Sequence, residues 1–231
     1  EELQGAVPCT AAVMCCKPDG TDLELVAWGL RNAFALGFLD DGRLLAVDQG
    51  PDDRGSRPIG NAPDLLFEVR PARWYGWPDF VGGDPVTDDR YRPERGPRPT
   101  FVLADHDRLP PPEPALARFP PHCSATKFCV LPRTTRWPGQ VLVTLFGDER
   151  PMTAPAGGQV GRSLVRVDPS DWSVHEVATA VALHRPIDVA HLAEDDSLLV
   201  VDFGRFEMSP AGVAAEAASG AVHRIPLKEM R

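Results

Sequence analysis

Short apolar runs broken by Gly, Pro, Asp and Ser fill this chain, and helical spacing of apolar residues is almost absent. Such runs read as strands joined by turns. Residues 12–27 predict a strand pair, AVMCC and LELVAW, around a turn at Pro18-Asp19-Gly20-Thr21. Proline presets φ there, and glycine tolerates positive φ. ALGFL and RLLAVD predict a hairpin across Asp40-Asp41-Gly42, followed by a polar loop over 52–64 and a short strand, LLFEVR, at 65–70. Residues 82–121 are rich in Pro, Asp and Arg and carry little periodicity. They read as a long surface excursion inside one domain, and loops of that length are usually functional or partly disordered. Strand patterns resume with KFCVLP at 127–132, then QVLVTLF after a turn at Trp137-Pro138-Gly139, then SLVRVD and SVHEVAT. IDVAHL, LLVVDFG and AVHRIPL close the chain, and AGVAAEAASG between the last two suits a helical turn or a loop equally.

One pattern repeats. LGFLDDGRLLAVDQG at 36–50 matches VAHLAEDDSLLVVDFG at 189–204 with one residue inserted, and KFCVLP…GQVLVTLFG at 127–147 is a looser third copy. Each copy is a hairpin that ends in Gly and is followed by further strands. Repeated four-stranded units predict an all-β fold of the β-propeller type. About three such blades fit into residues 1–231, read as one domain, while a closed ring needs at least four. The expectation is therefore a portion of a propeller, completed by blades upstream or by another chain.

Composition narrows the partners. A formal net charge of −9 argues against nucleic acid and anionic membrane surfaces, which call for a basic patch. No apolar run approaches the ~20 residues of a membrane span. The opening EELQGAVPCT lacks the charged and apolar regions of a secretory signal, and the chain starts as if mid-domain. Five cysteines, Cys9, Cys15, Cys16, Cys123 and Cys129, show no C-x-x-C spacing, which disfavours a zinc site; most read as small buried residues.

Aligning the three copies brings chemistry to one end of the sheets. Just before the first strand of each copy stand Arg31-Asn32, His122 and Arg185. Just after the second strand stand Gln49-Gly50-Pro51, Phe146-Gly147-Asp148 and Asp202-Phe203-Gly204. Hairpin return places all of them on one rim, where two arginines and a histidine suit a polycarboxylate or a polarised carbonyl. Plainer readings stand beside this one: salt-bridged arginines, turn glycines at Gly50 and Gly204, a core histidine at 122, and an Asp202 that binds the backbone of the next turn. The acidic pairs Asp52-Asp53 and Asp88-Asp89 read as solvated rather than metal-binding.

The blocks WGLRNAFALGF, DGRLLAVDQGPDDRGSR, APDLLFEV and WYGWPDFVGG, continued by PHCSATKF, HRPIDVAHLAEDDSLLVVDFG and SGAVHRI, resemble the soluble glucose/sorbosone dehydrogenases, closer to the sorbosone-type branch. The likeness runs from about residue 12 onward and is most specific in RN…QGP…YGWP. It implies a six-bladed β-propeller, represented here by its C-terminal portion, that uses pyrroloquinoline quinone (PQQ) and calcium to oxidise a sugar and passes electrons to an external acceptor. It also implies a periplasmic or secreted location and leaves room for a homodimer. Carried over residue by residue, it assigns Arg31, Asn32, Gln49 and Arg185 to the quinone, with Arg31 beside its reactive carbonyls. The Gly50 and Pro51 carbonyls fall to the bound calcium, and Tyr75 lies near a further calcium site. Hard oxygen ligands suit that ion. This chain departs from the pattern in three places. Ile187 stands where a second arginine is expected, no lysine lies around Phe146-Gly147-Asp148, and the family's catalytic histidine belongs to a blade absent here, so His122 is the rim histidine offered as base. A non-enzymatic propeller that binds carbohydrate or protein, and an inactive truncated homologue, are the alternatives.

Overall fold

The structure, a computed structural model, describes residues 10–104, 108–148, 159–209 and 211–231. Cys9, positions 105–107 of the excursion and the stretch 149–158 lie outside the described residues.

Strands β1 (Ala12–Cys15) and β2 (Glu24–Trp28) form the first antiparallel pair, as their pattern predicts. Then come β3 (Ala33–Phe38), β4 (Leu44–Asp48), β5 (Asp64–Val69) and β6 (Arg73–Trp74), which runs parallel to β2. β7 (Phe80–Val81) and β8 (Asp84–Pro85) make a short hairpin, and β9 (Ala117–Phe119) follows. β10 (Ala125–Val130), β11 (Val141–Leu145), β12 (Ser163–Val167) and β13 (Val174–Val177) form one four-stranded meander. β14 (Pro186–Leu192) and β15 (Ser197–Asp202) pair next, β16 (Phe206–Ser209) and β17 (Gly212–Ala215) make a hairpin, and β18 (Ala221–Pro226) adds to β15. No α-helix occurs among the described residues.

The sheets β3-β4-β5-β9, β10-β11-β12-β13 and β14-β15-β18 are successive blades, with β3, β10 and β14 side by side. This is an all-β fold of the propeller type. The repeat in the sequence is real in space: all three leading hairpins are antiparallel, and each carries a register shift near the start of its first strand, between Ala33 and Ala35, Ala125 and Phe128, and Pro186 and Asp188. Such bulges bend a strand and re-aim the residues around them.

Burial follows position in the arc. The middle blade is covered on both faces, so every residue of β11 is buried, apolar or not. Val141, Val143 and Leu145 pack toward the first blade, against Ala35, Leu45, Val47 and Leu66. Leu142 and Leu164 pack toward the last, against Val189, Leu198, Val200 and Ile225. Thr144 is tolerated there because its hydroxyl meets that of Thr126 at 2.8 Å. The end blades instead alternate. Ala35 is buried while Phe34, Leu36 and Phe38 are exposed, Phe38 at 67%. On the last blade Val201 and Val222 are exposed on one face.

Three local readings change. The excursion ends in a strand: β9 pairs with β5 and completes the first blade, so the segment is an insertion between that blade's third and fourth strands. Three residues of alternating burial, Ala117, Arg118 and Phe119, were too short a signal inside a proline-rich run. The segment that suited a helical turn or a loop equally carries β17 instead, which pairs with β16. Cys15 and Cys16 are exposed, and of the described cysteines only Cys123 is fully buried; all four are free thiols.

Leu142 is completely buried between the second and third blades. Leu142→Ala should cost about 2–5 kcal/mol in chemical denaturation, whereas Leu36→Ala on the open face should cost about 1 kcal/mol or less.

Candidate functional site

The rim ends of β3 and β4 build the site. At Asp48 the second strand stops, and its buried carboxylate turns back to accept the backbone N–H of Arg31 (3.1 Å) and of Asn32 (2.6 Å). That anchors the two residues just before β3. Asn32 then donates its side-chain amide to Gln49 Oε1 at 2.9 Å, and Arg31 donates to the Gln49 carbonyl at 3.1 Å, its guanidinium lying 5.8 Å from the Trp77 ring centre. Gln49 Nε2 crosses to the second blade and donates to the Ala125 carbonyl at 2.9 Å. The sequence-predicted residues Arg31, Asn32 and Gln49 are thus one hydrogen-bonded wall.

Gly50 turns the chain in a crowded place: a Cβ there would lie 2.4 Å from the Pro63 carbonyl oxygen. Its N–H donates to Asp64 Oδ1 at 2.8 Å. Among the described residues, no hydrogen-bond donor is recorded on the carbonyl of Gly50 or of Pro51. From the second blade comes His122, in the left-handed region at φ 63° and only 13% exposed, with Nδ1 3.7 Å from Asp52 Oδ1.

Arg31, Asn32, Gln49, Gly50, Pro51 and His122 line one cavity of about 250 Å³, together with Asp52, Arg54, Asp64 and Ser124. Its electrostatics are sharply divided. Burial pushes the Asp48 carboxyl up to about 6, against the pull of the Asn32 and Arg31 N–H groups and the Arg31 guanidinium. Burial also raises Asp64. Asp52 moves the other way, since His122, Arg54 and Arg31 outweigh its burial. The close contact with Asp52 raises His122, against its own burial. Arg31, Arg54 and His122 suit an anion, and the Gly50 and Pro51 carbonyls, with no hydrogen-bond donor among the described residues, suit a hard cation. No group of three or more His, Cys, Asp or Glu placed to hold a metal occurs among the described residues, so any cation here depends on backbone oxygen.

Two other sequence-predicted residues lie elsewhere. Tyr75 is buried edge-on to Phe67; its hydroxyl donates to the Glu68 carbonyl at 2.6 Å and accepts the Arg70 N–H at 2.8 Å. It borders a small cavity beneath Arg31 and Gln49 rather than the main one. Arg185 is 1% exposed. Its guanidinium donates to the carbonyls of Asp148 (2.5 Å) and Phe206 (2.9 Å) and sits against the rings of Phe146 and Phe206. It borders a second cavity, about 530 Å³, with His184, Arg162 and Arg205, which shares no lining residue with the first. Asp202 binds the backbone N–H groups of His184, Arg185 and Gly204, the plainer of its two sequence readings.

Asp48 and Asp64 were missed. Asp48 was visible in principle, because the repeat aligns it with Asp202, and the two perform the same anchoring. Asp64 has no such signal; it opens β5 as an ordinary polar residue, and its partner Ala125 is far along the chain.

The chain matches no protein-family model and no curated protein. Its fold is similar to that of solved sugar dehydrogenases. The PQQ-bound form of the aldose sugar dehydrogenase of Streptomyces coelicolor superposes with a TM-score of 0.58 at 16% identity, over 96% of this chain and 52% of that one. The calcium structure of a Trichoderma reesei carbohydrate-active enzyme of family AA12 gives 0.55 at 16% identity, over 77% and 51%. The apo-form soluble aldose sugar dehydrogenase of Escherichia coli gives 0.51 at 14% identity, over 97% and 51%. Identity this low speaks to fold alone. The chain spans about half the length of these proteins.

The His122–Asp52 contact sets a pH dependence. Because the folded ring titrates above its ordinary value of about 6.5, the contact contributes fully below that value and is lost as pH rises through the raised folded value. The stability difference between the wild type and His122→Gln should therefore shrink as pH rises through this window, read by urea denaturation at a series of pH values.

Proposed function

We propose that this chain carries the quinone-side wall of a PQQ-dependent sugar dehydrogenase and oxidises a sugar or aldose with calcium at the same rim. The observation that carries the reading is the single cavity in which Arg31, Asn32 and Gln49 are locked beside the Gly50 and Pro51 carbonyls, which take no hydrogen bond from the described residues. The residues present fit the pair of groups. PQQ is a planar tricarboxylate, which fixed cationic and amide donors recognise, and calcium prefers carbonyl and carboxylate oxygen. When bound, PQQ supplies the two-electron acceptor for the sugar carbon.

The chain's own residues have separate tasks in this reading. Arg31, held from behind by Asp48 and from the side by Gln49, would present a fixed positive charge to the bound cofactor. Asn32 and Gln49, already bonded to one another and to Ala125, would offer their remaining amide groups to the cofactor. Gly50 and Pro51 offer carbonyl oxygen to calcium, and Tyr75 supports the turn that carries Trp77 beneath Arg31. His122, beside Asp52 on the cavity wall, would face the cofactor, and its imidazole in the neutral form can accept the sugar hydroxyl proton. Arg185 belongs to the neighbouring wall. The full enzyme is a six-bladed ring with blades beyond these residues, works on a small sugar with an external electron acceptor, and operates in the periplasm or outside the cell.

A second reading, a non-catalytic propeller that binds carbohydrate or protein at this rim, is favoured by one observation. Arg185 spends its donors on the backbone carbonyls of Asp148 and Phe206, and Ile187 follows where a second arginine would grip the cofactor.

Calorimetric titration of PQQ into the calcium-loaded protein separates the two, with turnover measured on aldoses and an artificial acceptor. Arg31→Ala should weaken PQQ binding about 10–100-fold, the equivalent of about 1.4–2.8 kcal/mol, and abolish turnover. Wild-type-like turnover in that variant overturns the dehydrogenase reading.

A further inference from the structure

Asp64 is a buried carboxylate at the cavity that joins the first two blades. Its side chain is buried, and each oxygen serves a different blade. Oδ1 accepts the Gly50 N–H at 2.8 Å, on the turn that follows β4. Oδ2 accepts the Ala125 N–H at 2.6 Å, at the first residue of β10, and the Cys123 thiol at 3.3 Å. The peptide that Gly50 donates from is thereby fixed against blade two, and it leads into the two carbonyls that carry no recorded donor. A Cβ on Gly50 would strike the Pro63 carbonyl, so the turn has no slack on its other side.

The comparison with Asp202 separates this role from ordinary anchoring. Asp202 is also buried and also accepts backbone N–H groups, those of His184, Arg185 and Gly204. All three belong to its own blade and its own rim turn. Asp64 reaches between blades, and it lines the cavity where Asp202 does not. An acceptor that spans a junction fixes the relative position of the two walls, and outer groups that orient ligands govern affinity as strongly as many direct contacts.

We infer that Asp64 is the positioning residue for calcium at this rim: by holding Gly50 N–H against the second blade it aims the Gly50 and Pro51 carbonyls into the cavity. This rests on the calcium reading proposed above.

The test uses the 231-residue chain with calcium alone as the probe. Asp64→Asn and Asp202→Asn are compared for amide hydrogen exchange and for calcium affinity by calorimetry. Asp64→Asn should deprotect the Gly50 and Ala125 amides and weaken calcium about 10–100-fold. Asp202→Asn should deprotect His184 and Arg185 and leave calcium affinity unchanged. Asp64→Glu keeps both acceptor oxygens and the charge, covers the case in which the asparagine variant does not fold, and should regain part of both the Gly50 protection and the affinity. Unchanged Gly50 protection in Asp64→Asn, or equal calcium losses in Asp64→Asn and Asp202→Asn, overturns the role of Asp64. A wild-type chain that takes up no calcium, with Gly50 still deprotected in Asp64→Asn, overturns the cation reading of the rim instead.

Discussion

The backbone at the rim end of each blade leaves its ladder just where the blades press together, and its N–H groups must still find acceptors. Buried amides left unpaired are costly. In the first and last blades an aspartate at the end of the second strand meets this demand, Asp48 for Arg31 and Asn32, Asp202 for His184 and Arg185. The middle blade has Leu145 at the matching end, and the acceptor for its Ala125 N–H comes from the neighbouring blade as Asp64. The side chains around the first cavity point where they do because these carboxylates hold the backbone behind them.

Blade packing and site geometry are therefore one problem. Gln49 and Asp64 tie the first blade to the second through Ala125, and Arg185 ties the third to the second through the Asp148 carbonyl. The first tie leaves polar groups facing a cavity. The second closes around Phe146 and Phe206 and leaves Arg185 buried. Equivalent positions in a repeat thus diverge: Arg31 and Arg185 border separate cavities with no shared lining residue, and Arg185 is buried against Phe146 and Phe206. A site built across a repeat does not inherit the repeat's symmetry.

The burial pattern records the same architecture. β11 is buried throughout because blades cover both its faces, and β3 alternates because a blade covers only one. Phe34, Leu36 and Phe38 on the first blade, and Val201 and Val222 on the last, are left exposed.

Sequence alone determined most of the strands, the three related hairpins and the grouping of Arg31, Asn32, Gln49, Gly50, Pro51 and His122, because period-two burial, turn residues and hairpin return are local rules. It could not separate Arg185 from that group, since matching positions in a repeat say nothing of which neighbour fills the space beside them. It lost β9 inside a proline-rich insertion, where three residues are too few to show a period. It gave no sign of Asp64, whose two acceptor bonds join residues 50 and 125. Contacts of that kind exist only once two blades are docked, and the tertiary structure alone decided them.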